Sequence, residues 1–170
     1  MKNVREFYKQ CFENEKPTFL KVMRAVPPDQ NGYTPHPRST NAGDLMWLLA
    51  AELEDACTLI DSGEVNYVYR PSPGVTESIA AYEKHAEELQ ARLATLDDAK
   101  WESKARMLMD GKPMWEATLG DMLFGFLFDA VHHRGQLSTY LRPMGAKVPS
   151  IYGPSYDAGG FTGAPTRKNG

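Results

Sequence analysis

The sequence predicts an all-α protein, a four-helix bundle with a Pro/Gly-rich C-terminal tail. Four long segments repeat apolar side chains every three or four positions, the period of a helix with one buried face. No long stretch alternates apolar and polar residues as a half-buried strand does, and prolines and glycines gather mostly between the periodic segments and at the end. The 170 residues are 42% apolar and 11% aromatic, enough for one buried core. The reading is a single bundle over 1–152 and an extended tail over 153–170.

The first helix is expected over 2–26, where Val4, Phe7, Cys11, Phe19, Leu20, Met23 and Val26 supply the stripe. Pro17 predicts a kink or a restart within it, because proline gives up one helix hydrogen bond. The segment "PPDQNGYTPHPRST" carries four prolines in 14 residues and reads as a loop, with Ser39 and Thr40 as caps for the next helix. That second helix, 41–61, shows Leu45, Leu48, Leu49, Leu53, Ala56 and Ile60 on one stripe and stops at "DSG". After the linker "EVNYVYRPSPG" comes a third helix over 75–96, with Thr76 or Ser78 near its start and Glu and Lys on its outer face. Residues 100–116 contain Asp-Gly and some alternation, which fits a short hairpin or irregular crossover. The fourth long helix is expected over 118–142, closed by "RPMG".

The charge balance excludes one class of partner. Nineteen Lys and Arg against 22 Asp and Glu leave a net charge of -3 without a basic cluster, so nucleic acid is not expected. No run approaches the ~18 apolar residues of a membrane span and the N-terminus has no apolar leader core, so a cytoplasmic protein without a membrane partner is expected. Cys11 and Cys57 have no metal-ligand spacing and read as reduced, buried thiols.

The chemistry concentrates in "FGFLFDAVHHRGQLSTYLRPMG" at 124–145. Asp129 and His133 are i,i+4 neighbours on one helix face, and Gln136 and Tyr140 continue that stripe. Such a pair can chelate a divalent metal through one carboxylate oxygen and one imidazole nitrogen. Glu52 stands at the centre of the apolar stripe of the second helix, where an ionised carboxylate must find a cation or take up a proton. Two readings are open. Glu52, Asp129 and His133 share a metal, or Glu52 pairs with Arg134 or a charged His133 in a network that fixes helix register. His132 points about 100° away from His133 and is expected to pack or meet solvent. His36 is expected in an exposed loop and His85 on a charged helix face. Ser138, Thr139 and Asp121 lie in no nucleophile elbow, so a serine mechanism is not expected.

The run "HHRGQLSTYLRPMG" followed by "KVPSIYG", together with "STNAGDLMWLLAAE" on the second helix, resembles the signature of the DinB-like superfamily of metal-dependent proteins. The resemblance covers most of the chain and implies a four-helix bundle of up-down-down-up connectivity, often a homodimer. The family's usual site is three histidines, one on the second helix and an H-x-x-x-H on the last, binding nickel or zinc. Against that pattern only His133 is retained: Asp129 stands four residues earlier, and the second-helix histidine falls on Leu48. Glu52 lies one turn further along the same face, so the substituted set is Glu52, Asp129 and His133. Its oxygen donors shift preference toward manganese, iron or magnesium.

The resemblance also implies activity. Members include thiol-dependent S-transferases and a mycothiol-dependent maleylpyruvate isomerase, so the expected function is a metal-dependent enzyme of thiol-transfer or hydrolase type. Its cofactors would be a divalent ion (Ni, Zn, Mn or Fe) and a low-molecular-weight thiol. Gln136 and Tyr140 would support the ligands or touch a small-molecule substrate. The alternative is a non-catalytic bundle with a degenerate site, acting as a small-ligand binding or stress-response protein.

Overall fold

In the computed structural model, which describes residues 3–159, the four expected helices are present. They are α1 (Val4–Met23), α2 (Ala42–Ser62), α3 (Val75–Thr95) and, last in the chain, α5 (Leu119–Tyr140), with a one-turn α4 (Asp98–Trp101) between the last two. The contacting pairs are α1 with α3, α3 with α2, α2 with α5, and α5 with α1. The four long helices therefore close a ring in which α1 and α2, consecutive in sequence, stand diagonally. The 18-residue connection 24–41, with a 3-10 turn at Pro28–Gln30, is long enough for that crossing.

The all-α expectation is corrected by a three-stranded mixed sheet: β1 (Glu64–Tyr67), β2 (Lys104–Met109) and β3 (Lys112–Thr118). The hairpin expected over 100–116 is β2 and β3, joined at Asp110 and Gly111, both at positive φ as a type I′ turn requires. The strand read as linker is β1, which pairs in parallel with β2 through Val65–Met107 and Tyr67–Met109. A four-residue strand whose partner lies some 40 positions away leaves no local pattern. The sheet packs on α2 and α5.

Local chemistry explains most of the boundaries. Asn41 caps α2, its side chain accepting from the Asp44 amide at 2.8 Å, in place of Ser39 or Thr40. Gly63 ends α2 in the left-handed region, its N–H returning to the Leu59 carbonyl. Thr118 caps α5 through the Asp121 amide. Neither Thr76 nor Ser78 caps α3, which starts after Gly74; the buried Ser78 hydroxyl donates back to the Gly74 carbonyl. Pro17 lies inside α1 on its solvent side, and the helix runs through it without a restart.

The core runs through all four long helices, from Tyr8, Phe12 and Phe19 on α1 to Met122, Leu123 and Leu137 on α5. Two assignments change here. Cys57 is buried, with its thiol pushed up to about 11 by burial, but Cys11 is only half-buried; both are free. His85 is buried and shares a 3.1 Å contact with Glu88, because it follows Tyr82 and precedes Leu89 on the inner face of α3. The chain after α5 folds back: Asp157 accepts from the Val148 amide and from Arg142, and Ser155 donates to the Val148 carbonyl. The rest of the expected tail, 160–170, lies outside the described residues.

Candidate metal centre

Glu52 enters the core because α2 leaves it no other direction. Leu45, Leu49, Leu53 and Ala56 bury the same face, and Glu52 among them is 8% exposed. Burial pushes its carboxyl well above the usual range, and hydrogen bonding to Asp129 and the charges of Asp129 and Asp55 push the same way. Its Oε2 is buried with no hydrogen-bond partner among the described residues.

On α5 the i,i+4 geometry brings Asp129 and His133 together, with Oδ2 of the acid 3.2 Å from Nε2 of the ring. The other ring nitrogen, Nδ1, donates to Oε1 of Gln136 at 2.9 Å, one turn further on. That bond accounts for a proton on Nδ1; Nε2, facing the Asp129 carboxylate, either donates to it when the ring is charged or offers its lone pair to a cation when the ring is neutral. One ligand atom from each of Glu52, Asp129 and His133 lies within 4.8 Å of the other two. Two carboxylate oxygens and a ring nitrogen at that spacing could hold a cation, and the sequence names all three residues.

Of the two cations open to a buried network, Arg134 is committed elsewhere, while His133 stays beside Asp129 and Glu52. Arg134, 2% exposed, points away from Glu52 and donates to Glu15, Thr18 and Tyr152, with its guanidinium 4.6 Å from the Phe19 ring and 4.9 Å from the Tyr152 ring. Tyr140 does not line the cleft: it is buried, donates to the Thr40 carbonyl at 3.2 Å and meets Tyr33 edge-on. His132 is exposed, its ring 5.1 Å from that of His133. Ser138 and Thr139 spend their hydroxyls on backbone carbonyls of their own helix, and Asp121 serves the cap.

The triad opens into a cleft of about 390 Å³ between α2, α5 and the sheet. Leu48 lines it beside Glu52, since i and i+4 share a face. The roof is the sheet, whose Tyr67, Met107, Met109, Met114 and Trp115 were not singled out in the sequence. Met107 and Met109 are two apart and so face the same way, a local signal; that they cover Glu52 depends on the non-local β1–β2 pairing. Trp115 lies against Gly125 of α5, where an added Cβ would come within 2.3 Å of the ring, and packs edge-on against Phe126. Asp55, three residues after Glu52, also lines the cleft; burial raises its carboxyl to about 6 although Arg70 pulls the other way. Helix periodicity from Glu52 would have found it.

A model of the DinB family matches residues 1–164. The chain belongs to the DinB family. Two solved DinB-like proteins share its fold. One, from Bacillus cereus, superposes with a TM-score of 0.71 at 18% identity over 86% of this chain and 97% of its own. The other, from Bacillus subtilis, gives 0.66 at 16% identity over 88% and 97%. No curated protein matches the chain. Among the described residues no helix is long and apolar enough to cross a membrane.

Proposed function

We propose that this DinB-family chain is a metal-dependent enzyme whose cation is held by Glu52, Asp129 and His133 at the inner end of the cleft. The observation that carries this is Glu52: a buried carboxyl with an unpartnered oxygen, facing another acid and an imidazole, while the nearest buried guanidinium is committed to Glu15. Two carboxylates offset the charge of a divalent ion, and an imidazole completes three protein donors with positions left for substrate. The oxygen-rich set favours manganese, iron or magnesium over nickel or zinc. When bound, such an ion supplies Lewis acidity, lowering the pKa of a thiol or water beside it for attack on an electrophile.

The remaining roles belong to the protein. Gln136 fixes the His133 tautomer and aims Nε2 inward. Asp55, on the cleft wall with a carboxyl that titrates near pH 6, can hold or release a proton beside the reacting groups. The Met and Trp side chains of the sheet line the approach to the triad. The reaction class is S-transfer from a low-molecular-weight thiol or hydrolysis. Leu48 at the family's histidine position favours a second reading, a non-catalytic bundle that binds a small ligand. Metal analysis by mass spectrometry on tag-free protein separates them: stoichiometric metal supports the enzyme, and its absence after repletion supports the binding protein. A homodimer is part of the proposal, and a 19 kDa species in sedimentation at tens of micromolar would count against it.

A further inference from the structure

We infer that the cleft selects a small ligand with an uncharged aromatic or apolar body and rejects bodies that carry a carboxylate or phosphate. The inference deepens the metal-site reading above by naming the class of substrate that reaches it. Its first support is the wall. Leu48, Met107, Met114, Trp115 and Phe126 surround the approach to the triad, so a ligand body meets thioethers, an indole and a phenyl ring. Methionine side chains reshape around irregular apolar groups, and sulfur-to-ring contacts are favourable. Trp115 is fixed rather than adaptable: Gly125 lets its ring lie down on α5, and Phe126 holds it edge-on. A volume of about 390 Å³ suits one or two fused rings.

The second support is charge. Every ionisable acid or base lining the cleft is Glu52, Asp55, Asp129, His133 or Tyr67; no Lys or Arg is among the described lining residues. A divalent ion is offset by Glu52 and Asp129, which leaves Asp55 as the remaining acid on the wall, with Arg70 3.9 Å behind it. Away from the metal position, an anionic body would find no cationic side chain in the cleft lining and an acid facing it. The nearby Arg70 is not among the lining residues and its charge is shared between two acids: it reaches Glu54 at 2.7 Å and Asp55 at 3.9 Å, and it lies over Trp47. A thiol cosubstrate drawn to this cleft would accordingly be poor in carboxylates.

The test uses two probes of equal size, naphthalene-2-methanol and 2-naphthoate, titrated into the full chain with and without diamagnetic magnesium. Binding is followed by the Trp115 indole and Met methyl NMR signals. We expect saturable shifts of the Trp115, Met107 and Met114 signals with the alcohol and at least ~10-fold weaker binding of the carboxylate. Asp55→Asn should narrow that gap, and Met114→Ala, at a half-exposed position, should weaken the alcohol without unfolding the chain. Equal or tighter binding of the carboxylate, or no shift of these signals with the alcohol, overturns the inference. Calorimetric titration of manganese alone judges the metal site separately, since the probe comparison is also made on metal-free protein.

Discussion

Arg134 and Glu52 are both charged side chains shut inside the helical core, and they are finished differently. Arg134 has a carboxylate, two hydroxyls and two aromatic faces around its guanidinium, drawn from α1 and from the segment after α5. Glu52 has an acid and an imidazole beside it, and one of its oxygens has no partner among the described residues. The same physics of burial applies to both, so the difference marks purpose. The first is a closed structural network that ties α1, α5 and Tyr152 together. The second is stable only with a proton or a cation added, which is the arrangement of a binding site.

The comparison predicts opposite responses to mutation. Arg134→Ala should cost the most, about 3–5 kcal/mol in urea unfolding, because it leaves Glu15 beside apolar groups without its cation. The metal affinity of the folded fraction should stay as in wild type. Next comes Gln136→Leu, which frees the ring of His133 and should weaken metal binding ~10–100-fold in calorimetry with little loss of fold.

A smaller effect depends on pH. The raised carboxyls of Glu52 and Asp55 favour the protonated folded state, so their contribution is complete below their ordinary values of 4.5 and 3.8. It is lost as pH rises through the folded values, which for Asp55 is about 6. Metal-free wild type should therefore lose Tm relative to Glu52→Gln between pH 4 and neutral, by a few degrees. Added metal should reverse the trend, since it binds the deprotonated ligands. The smallest effect is His132→Ala, at an exposed position, within ~0.5 kcal/mol and with unchanged metal affinity.

Much of this contrast was legible in the sequence. The four long helices came from apolar periodicity, and the triad from two features that survive without coordinates: an i,i+4 acid and imidazole, and an acid in mid-stripe. Which buried charge takes which partner was not legible, because Arg134 and His133 are adjacent in sequence and 100° of helix rotation sends them to different neighbours. The sheet was half legible. Asp110-Gly111 announces its hairpin, but β1 joins by a parallel pairing across α3 that leaves no local pattern, and the roof of the cleft depends on that pairing. His85 is hidden for a different reason: charged neighbours at 84, 87 and 88 mask its place in the Tyr82, Ala86, Leu89 stripe.

The central claim is that Glu52 is kept for binding at some cost to the metal-free fold. Thermal melts of wild type and Glu52→Leu, each with chelator and with manganese, test it in one experiment. We predict that Glu52→Leu melts higher than wild type in chelator, by roughly 2–4 °C per ~1 kcal/mol gained from removing a buried carboxyl. Manganese at ~100 times its dissociation constant should raise wild type by about 2.7 kcal/mol of stability and leave the variant unmoved. A variant that melts lower than wild type in chelator and still gains the full manganese shift would contradict the account.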